Sequence, residues 1–101
     1  MLSNYEAAMA ILKHYGASKQ ELQAVQELAE LTVLLTKRPE QRGEEYRENL
    51  IDEIADATIM IEQIKMMHGI ENRDVSARIS YKLYRQMCRI TQKESEGLDH
   101  V

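Results

Sequence analysis

Two stretches of the chain set carboxylates three residues apart in otherwise apolar surroundings. One is Gln26-Glu27-Leu28-Ala29-Glu30 and the other Asp52-Glu53-Ile54-Ala55-Asp56. Residues three apart share a face of an α-helix, so Glu27 stands beside Glu30 and Glu53 beside Asp56. Like charges at that spacing repel. Asp56 is the odder case, because residues 54–61 contain no other charged group. An uncompensated carboxylate in apolar surroundings is costly. A hard divalent cation compensates it economically: Mg2+ takes oxygen ligands, keeps several waters and is often shared with substrate phosphates. Two neighbouring antiparallel helices would bring Glu27, Glu30, Glu53 and Asp56 to one cavity. The plainer alternative is two solvated acidic edges with Lys or Arg partners elsewhere. A carboxylate-bridged di-iron bundle needs Glu-x-x-His on paired helices. No His here follows a Glu or Asp by three, so that rival fails.

A basic counterpart lies downstream. Arg78, Lys82, Arg85 and Arg89 advance by four, three and four residues and make one stripe on a helix. Cations of this kind hold the distal phosphates of a polyphosphate; the alternative is a solvated charged face. Base stacking needs an aromatic ring, and only Tyr5, Tyr15, Tyr46, Tyr81 and Tyr84 offer one. Tyr46 is the candidate nearest the Glu53 segment. His14 and His68 fall near helix C-termini, where an imidazolium is favourable. Cys88 reads as a small buried hydrophobe and the six Met as core and interface filler.

The elements that must position these groups are helices. Ser3 with Glu6 and Ser18 with Glu21 both read as capping boxes. Gly16 and Gly69 stand where left-handed C-terminal caps are needed. Pro39 closes the second helix, and Asn72 with Asp74 starts the last. The expectation is four helices over 3–15, 18–37, 44–68 and 72–93, followed by a polar, flexible tail at 94–101. Residues 1–93 then form a single all-α domain. Residues 44–68 hold neither Gly nor Pro. Their apolar residues fill more than one stripe, and the second helix behaves alike. Four short helices cannot cover so much apolar surface, so a homo-oligomer, first of all a two-fold dimer, is expected. An internally buried central helix in a compact monomer is the alternative.

Composition bounds the rest. The chain has 101 residues, enough for one small domain, with four Gly and one Pro, too few for a turn-rich β architecture. Thirteen Lys and Arg against seventeen Asp and Glu give a net charge of −4, which argues against a general nucleic-acid partner. A 44% apolar and 30% charged composition is that of a globular chain. The single cysteine excludes an internal disulfide and a multi-cysteine zinc site. No apolar run approaches a membrane span. Residues 1–13 show no basic leader before a long apolar run, so no signal peptide is expected and the setting is cytoplasmic.

The ordered set of acidic segments resembles that of the MazG-like all-α nucleotide pyrophosphohydrolases. Their signature is Glu-Glu-x-x-Glu followed on the next helix by Glu-x-x-Asp. Here Gln26-Glu27-Leu28-Ala29-Glu30 and Glu53-Ile54-Ala55-Asp56 match it, and Lys82-Leu83-Tyr84-Arg85 is similar to the family's segment on the final helix. The likeness covers roughly residues 22–90. It implies a four-helix bundle completed by a homodimer or dimer-derived tetramer. It also implies Mg2+-dependent hydrolysis of nucleoside triphosphates, deoxy or non-standard ones among them, to the monophosphate and pyrophosphate. On this resemblance Glu27, Glu30, Glu53 and Asp56 are the metal ligands and catalytic acids, and Lys82 and Arg85 contact phosphate. One position departs: the first Glu of the signature is Gln26. That loses a charge able to orient water, and it favours the alternative of a non-catalytic helical dimer that binds a nucleotide or a protein.

Overall fold

Ser3 starts the first helix through a reciprocal cap. Its hydroxyl accepts the Glu6 N–H at 3.0 Å, and the Glu6 carboxylate accepts the Ser3 N–H at 3.1 Å. Those two bonds hold the Glu6 carboxyl below its usual value. The computed structural model describes residues 1–99, which form α1 (Asn4–Tyr15), α2 (Ala17–Leu35), a 3-10 turn (Pro39–Gln41), α3 (Glu44–His68) and α4 (Asn72–Asp99). No strand occurs among the described residues, so the chain is all-α. It divides into two compact units, Met1–Gly69 and Ile70–Val101.

The α1–α2 junction corrects the expected capping box at Ser18. Gly16 alone separates the helices, with φ 90° and ψ 156°, a conformation open to glycine and strained for any L side chain. Its N–H still closes α1 on the Leu12 carbonyl at 2.8 Å. With the reversal spent on one residue, α2 begins at Ala17, and Ser18 lies inside its first turn without a capping bond. Gly16 is thus a positive-φ cap as expected, but an extended one and not a left-handed helical one. Gly69 does adopt the left-handed cap, φ 63° and ψ 28°, with its N–H on the Lys65 carbonyl. Pro39 opens the 3-10 turn four residues after α2 has ended at Leu35.

Arg42 closes the α2–α3 connection. Its Nη2 donates to the Leu35 carbonyl and its Nε to the Lys37 carbonyl, both at 2.9 Å, while its guanidinium lies 5.1 Å from the centre of the Tyr46 ring. One side chain thus satisfies the end of α2 and leans on the first turn of α3. Arg42→Ala is expected to lower stability by about 1 kcal/mol. In a domain of this size that is a melting temperature lower by roughly 4–8 °C, read by thermal denaturation. Lys at this position recovers only part, because it lacks the two-pronged donor.

Within the first unit α2 and α3 pack most extensively, and α1 lies against both. The buried apolar set is small: Ala8, Leu12, Ala24, Ala57 and Met60. Two amides complete it. Gln20 Nε2 donates to Gln63 Oε1, and Gln63 Nε2 donates to the Ala8 carbonyl of α1, each at 2.9 Å. At the edge of the same seam His68 Nε2 meets Glu21 Oε1 at 3.1 Å. Large apolar side chains remain exposed on α2 and α3, among them Leu22, Val25, Val33, Ile51, Ile54, Ile59 and Ile61. Among the described residues no helix is long and apolar enough to cross a membrane.

In the second unit α4 starts with the Asp74 carboxylate accepting the Glu71 N–H at 3.0 Å. The helix runs on to Asp99, six residues past the expected end at Lys93, so most of the expected tail is helical. Residues 100–101 of that tail lie outside the described residues. Cys88 is exposed, which corrects its reading as a buried hydrophobe; it sits on a helix whose described side chains are nearly all solvent-facing.

Candidate functional site

The α2–α3 pairing is antiparallel, and the acids fall into step along it. Gln20 faces Gln63. Seven residues further along α2 and seven back along α3, Glu27 meets Asp56; three more bring Glu30 to Glu53. Carboxylate oxygens of Glu27, Glu30 and Glu53 lie within 4.8 Å of one another. Asp56 is outside that tight trio but stands beside Glu27, whose charge acts on its carboxyl. All four expected acids are therefore neighbours on one seam. The carboxylates form one cluster, in which Glu30 is exposed.

The charges acting on this cluster are its own. Glu53 is half-buried, and its carboxyl is pushed above the usual carboxylate range by burial, then by the charges of Glu30, Glu27 and Asp56. Asp56 is raised likewise by burial, then by Glu27 and by Asp52 one turn away. In each case every contribution favours the protonated, uncharged form, and none comes from a cation among the described residues.

Two oxygens complete the description. Gln23 Nε2 donates to Glu27 Oε1 at 2.8 Å, which fixes that carboxylate from one helical turn away. Glu27 Oε2 and Glu53 Oε2 are buried and have no hydrogen-bond partner. Folded proteins rarely leave such atoms without a donor or an ion. Two orphaned anionic oxygens in a nest of four carboxylates form the donor set a hard divalent cation takes, all oxygen and without nitrogen or sulfur. Glu27, Glu30 and Glu53 could offer such an ion one oxygen each, with Asp56 beside them. Gln23 was absent from the expected site, although an amide four residues before a helical carboxylate is a recognised pairing.

One turn past Glu30 on α2 and Glu53 on α3, a cleft opens between Leu34, Lys37, Gln41, Tyr46 and Asn49. Tyr46, the aromatic candidate nearest the acids, is half-buried there with an unpartnered hydroxyl. One face of its ring is covered by Arg42. Lys82 and Arg85 belong to the second unit. They lie three apart on one face of α4, exposed, in line with Arg78 and Arg89. No protein-family model, curated protein or solved structure matches the chain.

Proposed function

We propose that the chain is a Mg2+-dependent nucleoside triphosphate pyrophosphohydrolase of the MazG-like type. The observation that carries this reading is the meeting of four carboxylates on one helical seam, with two buried oxygens left without donors. Structural acids are arranged with cations; these are arranged against one another. Such a set is useful when a cation, and with it a polyphosphate, is the missing partner.

Glu27, Glu30, Glu53 and Asp56 would hold the ion, and Gln23 fixes the Glu27 carboxylate through its hydrogen bond. When bound, the ion neutralises phosphate oxygens and makes a nearby water more acidic. The chain's own groups do the rest. The seam orients the α–β anhydride of the substrate against a water. The water oxygen attacks the α-phosphorus, the bond from that phosphorus to the bridging oxygen breaks, and pyrophosphate departs with the bond's electron pair. A carboxylate of the cluster takes the proton from the attacking water. Lys82 and Arg85, assigned by the resemblance, neutralise charge on the distal phosphates. The exposed apolar side chains of α2 and α3 favour a homo-oligomer as the working form, acting in the cytoplasm.

The test is incubation of the purified protein with a panel of deoxy, ribo and non-standard triphosphates plus Mg2+, with pyrophosphate assayed. Release of pyrophosphate with one equivalent of monophosphate is expected. Its absence for every nucleotide, with the protein folded, removes the enzymatic reading. Gln26, neutral where the signature is acidic, favours the second reading, nucleotide binding without turnover. Calorimetry separates the two, since Mg2+-dependent binding without product belongs to the second. Lys82→Ala and Arg85→Ala are each expected to raise KM about tenfold or more, the cost of one charge-assisted contact. Steady-state kinetics with thermal melts unchanged checks it.

A further inference from the structure

The four carboxylates repel one another, so another contact must hold α2 and α3 in the register that gathers them. The apolar seam is a weak candidate. Its buried members on these helices are Ala24, Ala57 and Met60, small or pliable side chains that pack acceptably in more than one alignment. The polar contact is different in kind. Gln63 has no exposed surface and Gln20 is 5% exposed, so neither amide has water to fall back on. Gln20 donates to Gln63, and Gln63 donates in turn to the Ala8 carbonyl. A slip of α2 along α3 by one turn would set Gln20 against Ile59 or Met67 and Gln63 against Gly16 or Ala24. Both amides would be buried without partners, which is strongly disfavoured. The same slip would set Glu27 against Asp52 or Met60 and Glu30 against Asn49 or Ala57, dispersing the cluster.

We propose that Gln20 and Gln63 are positioning residues. Anchored on the Ala8 carbonyl, they lock the one register of α2 on α3 that brings Glu27, Glu30, Glu53 and Asp56 together. Their distance from the acids is two helical turns, about 10 Å, so they touch no ligand. A buried polar pair in this role selects an alignment and is not chiefly a source of stability. The consequence for cation binding rests on the function proposed above; the register itself does not.

The decisive variant is Gln20→Met with Gln63→Met, which keeps side-chain length and removes both amides, a change that can be nearly neutral for stability. Nitroxide labels on cysteines at exposed Ser18 and Arg47, in a Cys88→Ser background, report the axial offset of α2 and α3 by pulsed dipolar spectroscopy. Labelled chains are diluted with unlabelled ones so that only intrachain distances are read. The parent should give one distance. The double variant should add a population displaced by about one turn, ~5 Å, with an unchanged melting temperature and Mn2+ affinity reduced at least about tenfold. A single, parental distance in the folded double variant overturns the proposal whatever the cation affinity. A shifted distance in a protein whose parent binds no Mn2+ upholds the register lock and removes the cation reading instead. If the Met pair does not fold, Gln20→Leu with Gln63→Leu repeats the measurement. Failure of both to fold overturns the proposal, because the amides would then maintain the fold and not choose its alignment.

Discussion

Glu53→Gln is expected to raise the melting temperature of the cation-free protein and at the same time to abolish the proposed Mg2+ binding and turnover. The two effects have one origin. The Glu53 carboxylate stands among Glu30, Glu27 and Asp56 and is half-buried, so its charge is opposed both by burial and by three neighbours. The amide keeps the shape and removes the charge. It also offers an N–H to oxygens that have no donor, Glu27 Oε2 among them. Loss of an outer-shell partner of a metal site commonly reduces affinity or activity by 10- to about 100-fold. Loss of a direct ligand should exceed about a hundredfold. Asp56→Asn follows the same logic through Glu27 and Asp52.

Glu62→Gln is the control. Glu62 is paired with Lys65 at 2.6 Å on a partly exposed face, so its neutralisation should leave the melting temperature unchanged or slightly lower. Thermal melts in chelator, beside a pyrophosphate assay, make the comparison. A fall in melting temperature for Glu53→Gln like that of a paired surface acid would make the cluster structural. Unchanged turnover would remove Glu53 from the site.

That opposite behaviour of two glutamates on one helix was partly legible from residue types. Glu53 and Asp56 announce themselves because carboxylates three apart in an apolar run have no simple structural reason. The antiparallel pairing that brings them to Glu27 and Glu30 follows from a short connection between two long helices. The caps that depend on one local residue were also legible: the Ser3–Glu6 box and the left-handed Gly69. Ser18 misleads because Gly16 completes the reversal by itself, which its identity allows but does not announce. The end of the last helix misleads because a polar run can continue a helix as readily as fray from it. Cys88 misleads because apolar patterning on α4 marks a face without stating what covers it. Gln20 and Gln63 were invisible for a deeper reason. A glutamine in a helix reads as surface until its partner, 43 residues away, is brought opposite. Gln23 is intermediate, since its i to i+4 spacing to Glu27 was present in the sequence but gains meaning only once Glu27 is a ligand candidate.

Under the proposed function, Mg2+ is expected to reverse the direction in which stability depends on pH. Glu53 and Asp56 have folded-state values above those of the unfolded chain, 4.5 and 3.8. Between the unfolded and folded values the native state therefore holds more protons, and stability falls as pH rises. Their contribution is most favourable below about pH 4 and is lost as pH climbs through the raised values. Glu6 acts in the opposite sense. Its value is lowered by Ser3, so its contribution is present above 4.5 and lost as pH falls through the lowered value. The clean quantity is thus the difference between the parent and Glu53→Gln, in which Glu6 cancels. In chelator the melting temperature of the variant should exceed the parent's by an amount that grows with pH. A cation requires the deprotonated carboxylates, so its stabilisation grows with pH as well. At a hundred times its dissociation constant Mg2+ adds about 2.7 kcal/mol, or roughly 10–20 °C in a domain of this size. Monovalent salt at equal ionic strength separates binding from screening, because it screens the carboxylates without being held by them. With Mg2+ near neutral pH the parent should therefore overtake the variant that is the more stable of the two in chelator. If the order in chelator persists at saturating Mg2+, no divalent ion relieves the cluster, and its four charges need another partner.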